Sequence, residues 1–371
     1  MKHDSILNRC LLKWLFLGAL ISIPFASIQV VVAQSPSNMT VFADGLNNPR
    51  GLKFGPDGYL YVAEGGTGGS DSTIGQCDQV PFPIGPYTGG YTSRILKISP
   101  DGLRSTVVDN LPSSQTSLGS GGLVSGVADV AFIGDTLYGI EAGAGCSHGL
   151  AGTDNTVFRV NPDHTITTIA DLSAFQKANP VANPEPDDFE PDGTWYSMIS
   201  LGSVLYAVEP NHGELDRILP NGHIMRVVDI SASLGHIVPT AFTFHNGAFY
   251  VGNLSTFPVD PGSAKILKIN NGGRIKSIGS GLTTVVGVSF DAQGRLYALE
   301  TDTVAGFPGP AAAGSGKVVR VDDDDELTTV AEGLVFPTAM TFGPDGALYV
   351  SNFGFGLPPL GLGQIVRITL P

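Results

Sequence analysis

Four carboxylates and two amides recur at one equivalent place along this 371-residue chain. They close a repeated phrase: Leu60-Tyr61-Val62-Ala63-Glu64, Leu137-Tyr138-Gly139-Ile140-Glu141, Leu205-Tyr206-Ala207-Val208-Glu209 and Leu296-Tyr297-Ala298-Leu299-Glu300. Two looser copies end in amides, Phe249-Tyr250-Val251-Gly252-Asn253 and Leu348-Tyr349-Val350-Ser351-Asn352. If the copies ring an axis, Glu64, Glu141, Glu209 and Glu300 form a circle with Asn253 and Asn352. Like charges held close raise each other's pKa or recruit a cation, and hard oxygen donors suit calcium. The alternative is architectural: each side chain accepts hydrogen bonds from the backbone of its own loop or of the next repeat. Recurrence in every copy favours architecture, because a site usually breaks a repeat's symmetry. Other catalytic signatures are missing. The one Gly-x-Ser-x-Gly match, Gly145-Cys146-Ser147-His148-Gly149, falls inside a long loop and not at a strand-to-helix turn that would make a nucleophile elbow, and Gly65-Gly66-Thr67-Gly68-Gly69 has no helix after it to complete a phosphate site.

The elements that position these residues are short strands. Successive tyrosines of the phrase lie 77, 68, 44, 47 and 52 residues apart, and the two shortest gaps are close to one four-stranded propeller blade. The first unit reads Arg50–Phe54, a Gly55-Pro56-Asp57-Gly58 turn, the Tyr61 strand, Arg94–Ile98, a second Pro-Asp-Gly turn and Arg104–Val108. Period-two alternation between such turns predicts an antiparallel meander. The last unit ends after three strands, and Thr40–Leu46 matches the outer strand Thr329–Leu334 of the unit before it. The predicted fold is all-β: a six-bladed β-propeller over residues 40–371 whose last blade is completed by the N-terminal strand, which closes the ring and hides two sheet edges. The 49 glycines and 26 prolines fall at repeated turns, so they mark punctuation and not disorder.

Residues 1–33 read as a secretory signal peptide: Lys2, Arg9 and Lys13 precede an apolar run from Trp14 to Val32, and Val31-Val32-Ala33 suits cleavage before Gln34. An uncleaved anchor is the alternative, since the run is long enough to span a bilayer. Residues 34–39 are a short linker, and the mature chain is expected to have no membrane span, to be a monomer, and to be periplasmic or extracellular. Without residues 1–33 the chain keeps 17 Lys/Arg against 33 Asp/Glu, which argues against nucleic-acid partners. Cys77 and Cys146 lie in loops after the Tyr strands of neighbouring blades, and in an oxidising compartment they are expected to form a disulfide.

The long loops, 65–93, 142–155, 172–193, 301–316 and 353–363, all emerge on one face of the disc, so that face is the candidate for binding. It also carries His148, His212 and His236, while His164, His223 and His245 fall in turns of the other face. The site is expected over the channel mouth, between loops 65–93 and 172–193. These bring Phe82, Tyr87, Tyr91, Phe175 and Phe189 with acidic Asp187, Asp188 and Glu190. Aromatic rings beside carboxylates could stack on a phenolic or sugar ring and hold its hydroxyls. The expected ligand-binding set is Glu64, Tyr87, Tyr91, Glu141, Tyr196, Glu209, His212 and Glu300.

The units Leu-Tyr-Val-Ala-Glu and Arg94-Ile95-Leu96-Lys97-Ile98-Ser99-Pro100-Asp101-Gly102 resemble NHL and SMP-30/gluconolactonase-type six-bladed propellers, as does Glu209-Pro210-Asn211-His212-Gly213-Glu214-Leu215-Asp216. More narrowly, Thr40–Leu52, the loop phrase Asp78–Gly90 and Asp192-Gly193-Thr194-Trp195-Tyr196-Ser197-Met198 resemble an exported propeller family associated with scytonemin biosynthesis in cyanobacteria. That resemblance implies a secreted accessory role near an extracellular pigment. The favoured reading is a non-catalytic binding or accessory propeller that takes a small aromatic or glycan-like ligand through loops rich in Gly, Pro, Phe and Tyr, or an envelope protein; the alternative is a metal-dependent, lactonase-like hydrolase. In calcium-dependent lactonases the metal ligands lie just ahead of the inner strands. The matching positions here are Arg50, Ala128, Tyr196, Thr240, Val286 and Thr338, followed by Gly51, Asp129, Ser197, Ala241, Gly287 and Ala339. Only Asp129 is a carboxylate, so most of that metal shell is replaced.

Overall fold

The computed structural model describes residues 38–186, 188–306, 312–355 and 361–370. The expected signal peptide and most of the linker therefore lie outside the described residues, as does Asp187. Six antiparallel sheets follow one another along the chain. Their innermost strands are Pro49–Phe54, Val127–Ile133, Ser197–Leu201, Pro239–His245, Val285–Phe290 and Ala339–Phe342, heading blades one to six. Each continues outward through the Tyr strand to a third and a fourth strand. In blade six the fourth strand is Met39–Leu46, paired antiparallel with Gly363–Ile368 through Met39–Ile368, Val41–Val366 and Leu46–Gly363. The ring is closed as the sequence predicts.

The repeated tyrosine has a double duty. Its hydroxyl donates to the turn aspartate of its own hairpin, Tyr61 to Asp57 at 2.9 Å and Tyr349 to Asp345 at 3.1 Å. Its ring meets the phenylalanine that ends the next blade's inner strand: Tyr61 on Phe132, Tyr250 on Phe290, Tyr297 on Phe342 and Tyr349 on Phe54, with centroids 4.8–5.4 Å apart. One residue thus fixes the turn and the blade-to-blade contact, and edge-on aromatic pairs add to simple burial. The core is accordingly divided among the blade interfaces, each an apolar cluster such as Val62, Leu96 and Ile365 between blades six and one.

Two elements differ from the sequence reading. Residues 88–93, expected as loop, begin a strand running Thr88–Ile98, and its partner runs Arg104–Gln115. Gly89, Gly90, Ser113 and Ser114 pair there, small residues without a strand's apolar signature. The 172–193 loop opens with a helix, Leu172–Ala178, capped by Asp171, whose Oδ1 accepts the Ala174 N–H at 2.8 Å. Cys77 and Cys146 are joined as a disulfide with Cα atoms 6.3 Å apart, tying the long loop of blade one to that of blade two. No described helix is long and apolar enough to cross a membrane.

Candidate functional site

A cavity of about 540 Å³ occupies the axis on the long-loop face. All twelve positions aligned above at the heads of the inner strands line it, from Arg50 and Gly51 round to Thr338 and Ala339. These positions are aligned through the resemblance to calcium-dependent lactonases, as the places of that family's metal ligands. The roof comes from the two loops named from sequence: Pro81–Ile84 on one side, Glu185, Pro186 and Asp188 on the other. Ser117 pins the first, its N–H donating to the Ile84 carbonyl at 2.7 Å. Asn211 pins the second, accepting the Glu190 N–H at 2.9 Å on its side chain and the Glu185 N–H at 3.1 Å on its backbone.

The side chains expected to make the site divide sharply. Tyr196 lines the cavity, and its hydroxyl donates to the Thr338 carbonyl at 2.7 Å, across the ring from blade three to blade six. Phe82 and Asp188 also line it, Phe82 as a ring 78% exposed at the roof. Tyr87, Tyr91, Phe175, Phe189, Glu190 and His212 do not. Tyr87 is buried behind the wall, donating to Glu190 Oε1 at 2.7 Å, and Tyr91 is exposed on the extended blade-one hairpin. Phe189 stacks on His212 with centroids 5.2 Å apart, which props the second roof loop from outside.

Nor do the four glutamates reach the cavity. Each is buried and holds backbone. Glu64 accepts the Asn47 N–H at 2.8 Å, Glu209 that of Thr194 at 2.8 Å and Glu300 that of Thr283 at 2.7 Å. In each case the bound residue lies in the loop entering the innermost strand of the same blade. Asn352 does the same to Val335 at 2.7 Å, and Asn253 donates to the Ile237 carbonyl at 2.9 Å. Glu141 instead accepts from Gly143 at 2.9 Å and Ala142 at 3.1 Å, in the loop that follows it. Glu64 and Glu300 also pair with Arg94 and Lys317 on their own third strands. The circle is a set of loop clamps, and among the described residues no group of three His, Cys, Asp or Glu side chains is disposed to hold a metal ion.

Burial sets the protonation of these groups. It pushes Glu141 and Glu209 up to about 8, against the backbone N–H bonds that pull each down. Asp188 is pushed to about 9, by burial first and then by Glu190, Glu185 and Glu209. Asp129, at the wall, is raised to about 6 by burial, which Lys53 and the N–H groups of Met198 and Val130 partly offset. His212 falls to about 4 through burial. The consequence for Glu141 is testable. Between its unfolded value near ~4.3 and about 8, the folded chain keeps a proton that the unfolded chain has released. Stability is therefore lost as pH rises through that window, by on the order of a few kcal/mol. Glu141→Gln should melt higher than the wild type at pH 8 and close to it at pH 4, below both pKa values. A melting difference that is the same at both pH values would contradict this protonation.

Behind the wall, Ser114 Oγ lies 3.0 Å from His148 Nδ1, and His148 Nε2 lies 2.9 Å from Glu190 Oε2. The order Ser–His–Glu has the look of a relay, but Ser114 and His148 are wholly buried, so nothing can reach the hydroxyl. The group ties the extended blade-one hairpin to the loops that carry His148 and Glu190.

Sequence reasoning missed Trp195, His236, Phe257 and Phe355 as wall residues. His236 Nε2 sits 2.7 Å from Glu185 Oε2; burial first and His212 second push its pKa down to about 4. Phe257 and Phe355 follow the Asn253 and Asn352 ends of the phrase by four and three residues, so their face was legible although their inward path was not.

No family model and no curated protein sequence matches this chain. Solved structures do. A protein from Thermus thermophilus, provisionally assigned as an oxidoreductase (glucose dehydrogenase), is 16% identical with a TM-score of 0.55, over 89% of this chain and 99% of that one. A structural-genomics protein of unknown function from Bacteroides thetaiotaomicron gives 14% and 0.54, over 89% and 75%. A gluconolactonase from Xanthomonas campestris gives 12% and 0.50, over 90% and 89%. At such identities the likeness is one of architecture, and what this chain shares with these neighbours is the six-bladed propeller.

Proposed function

We propose that this chain is an exported, non-catalytic binding propeller that holds a small aromatic molecule in the cavity over its axis. The narrower resemblance extends the proposal to an accessory role in handling an extracellular pigment of the scytonemin type. The observation that carries the reading is the cavity itself. Its volume is that of a small-molecule site, and its wall is mainly apolar and aromatic, with Phe82, Trp195, Tyr196, Phe257 and Phe355 around a few fixed polar groups. Against catalysis stands the chemistry of the inner-strand heads, where alanine, valine, glycine and threonine occupy most positions of a lactonase's metal shell. The metal-dependent hydrolase alternative needed the glutamate circle, whose side chains are engaged with loop backbone.

Filling the cavity tests this. Ala339 heads the inner strand of blade six at the wall and is not fully packed. Ala339→Phe should weaken calorimetric binding of 2-naphthol tenfold or more while moving the melting temperature by only a few degrees. Unchanged affinity in a folded variant would place any binding elsewhere.

A further inference from the structure

We infer that the cavity's occupant is an organic acid whose carboxylate is received by Arg50. The inference rests on the binding reading above and narrows its ligand class. Arg50 is the first wall residue of blade one and is only 9% exposed. One of its N–H groups donates to the Val124 carbonyl, and the guanidinium lies over the Phe355 ring, 4.5 Å from its centroid. Among the described residues no carboxylate pairs with it; the groups that act on it electrostatically are the phenols of Tyr196 and Tyr87. Arg94, Arg226, Arg295, Arg320 and Arg367 are all more exposed, and each holds a carboxylate. Arg104, Arg159, Arg217 and Arg274 pair with no carboxylate among the described residues either, but they are exposed or half-buried, so Arg50 stands apart by its burial. A buried charge without a counter-ion is costly, and an apolar residue of the same size would serve the fold better. An anion supplied from outside accounts for it.

The remaining wall says which anion. A guanidinium presents a planar fork that matches a carboxylate with two parallel bonds. Lys53, the cavity's other fixed cation, is already faced by Asp129. Glu185 and Asp188 stand at the roof, and the chain as a whole carries a formal net charge of −14. Among the described residues Arg50 is then the wall's cation without a carboxylate partner, and a single guanidinium matches one negative charge better than a phosphate dianion. With the aromatic wall, the class is a small aryl or arylalkyl carboxylic acid.

Calorimetry with 2-naphthylacetate and its neutral primary amide separates the two levels of the argument. The wild type should bind the acid at least tenfold more tightly than the amide. Arg50→Gln should abolish that preference and leave amide affinity within twofold, and Arg50→Lys should keep part of it. Arg50→Met should melt no lower than the wild type by more than a few degrees, which a purely structural arginine would not allow. Equal binding of acid and amide, unaffected by Arg50→Gln, would overturn the carboxylate assignment and leave the aromatic cavity standing. Failure of both probes to bind at millimolar concentration would overturn the assignment together with the cavity reading.

Discussion

Deleting residues 34–46 should cripple the domain. The strand Met39–Leu46 is the outer edge of blade six, and without it the whole Gly363–Ile368 edge loses its partner. Leu46 is fully buried and Ala43 nearly so, packed with Leu52, Leu96 and Ile365 between the last blade and the first. Phe42 meets the Tyr349 ring edge-on at 5.1 Å, and Asn38 bonds to the Val330 carbonyl at 2.9 Å on the preceding blade. Loss of one buried leucine, one ring contact and a five-pair ladder is on the order of several kcal/mol, a large part of a domain's net stability of roughly 5–15 kcal/mol. The truncated chain should melt lower by on the order of 10 °C or more, or fail to fold. A melting temperature equal to that of the untruncated mature chain would refute closure by the N-terminal strand.

Gly51→Ala should be nearly as damaging, for a reason that lies at the axis. A Cβ on Gly51 would overlap Asp129 Oδ1 and stand 2.6 Å from the Asp129 Cα. The second contact is with backbone, so it cannot be relieved by a rotamer change. Asp129 in turn accepts the Met198 N–H at 2.9 Å and the Val130 N–H at 2.8 Å, linking blade two to blade three. The added methyl would push blades one and two apart and pull Asp129 off both donors. Overpacking costs about 1–3 kcal/mol, and buried donors left unpaired cost a further ~1–3 kcal/mol each. The urea midpoint of Gly51→Ala should fall by an amount matching at least about 3 kcal/mol at unchanged slope. A midpoint within error of the wild type would mean that the blades do not approach so closely at Gly51.

The fold was legible because its structural devices use conspicuous residues. Tyr61, Tyr297 and Tyr349 clamp the turn aspartate of their own hairpin and meet the next blade's phenylalanine, and Tyr250 makes the second contact, so packing wrote a visible repeat. The extended hairpin of blade one was not legible, since Gly89, Gly90, Ser113 and Ser114 form strand by pairing alone. The site was half legible. The lactonase resemblance directed attention to the twelve inner-strand heads, all of which line the cavity, but of these only Tyr196 was expected to bind a ligand. The glutamate circle drew attention for its chemistry, yet repetition in every blade marked it as scaffold, and the loop-holding bonds of Glu64, Glu209 and Glu300 bear that out. Within one loop, Phe82 faces the cavity while Tyr87 turns behind the wall to Glu190; the chain's path decides this, and no residue type announces it. What distinguishes Arg50 is its burial without a carboxylate partner among the described residues, a property of the folded neighbourhood and not of the sequence.

Trp195 offers the most direct test of the cavity as a binding site. The chain has two tryptophans, Trp14 and Trp195, so in protein beginning at residue 34 every tryptophan photon comes from the cavity wall. Titration with 4-nitrocinnamate, or with neutral 4-nitrobenzyl alcohol, should quench that emission to a plateau, with a midpoint equal to the calorimetric Kd and shifted by Ala339→Phe. Calorimetric binding that leaves Trp195 emission unchanged, or quenching that rises linearly without saturating, would contradict a ligand site over the propeller axis.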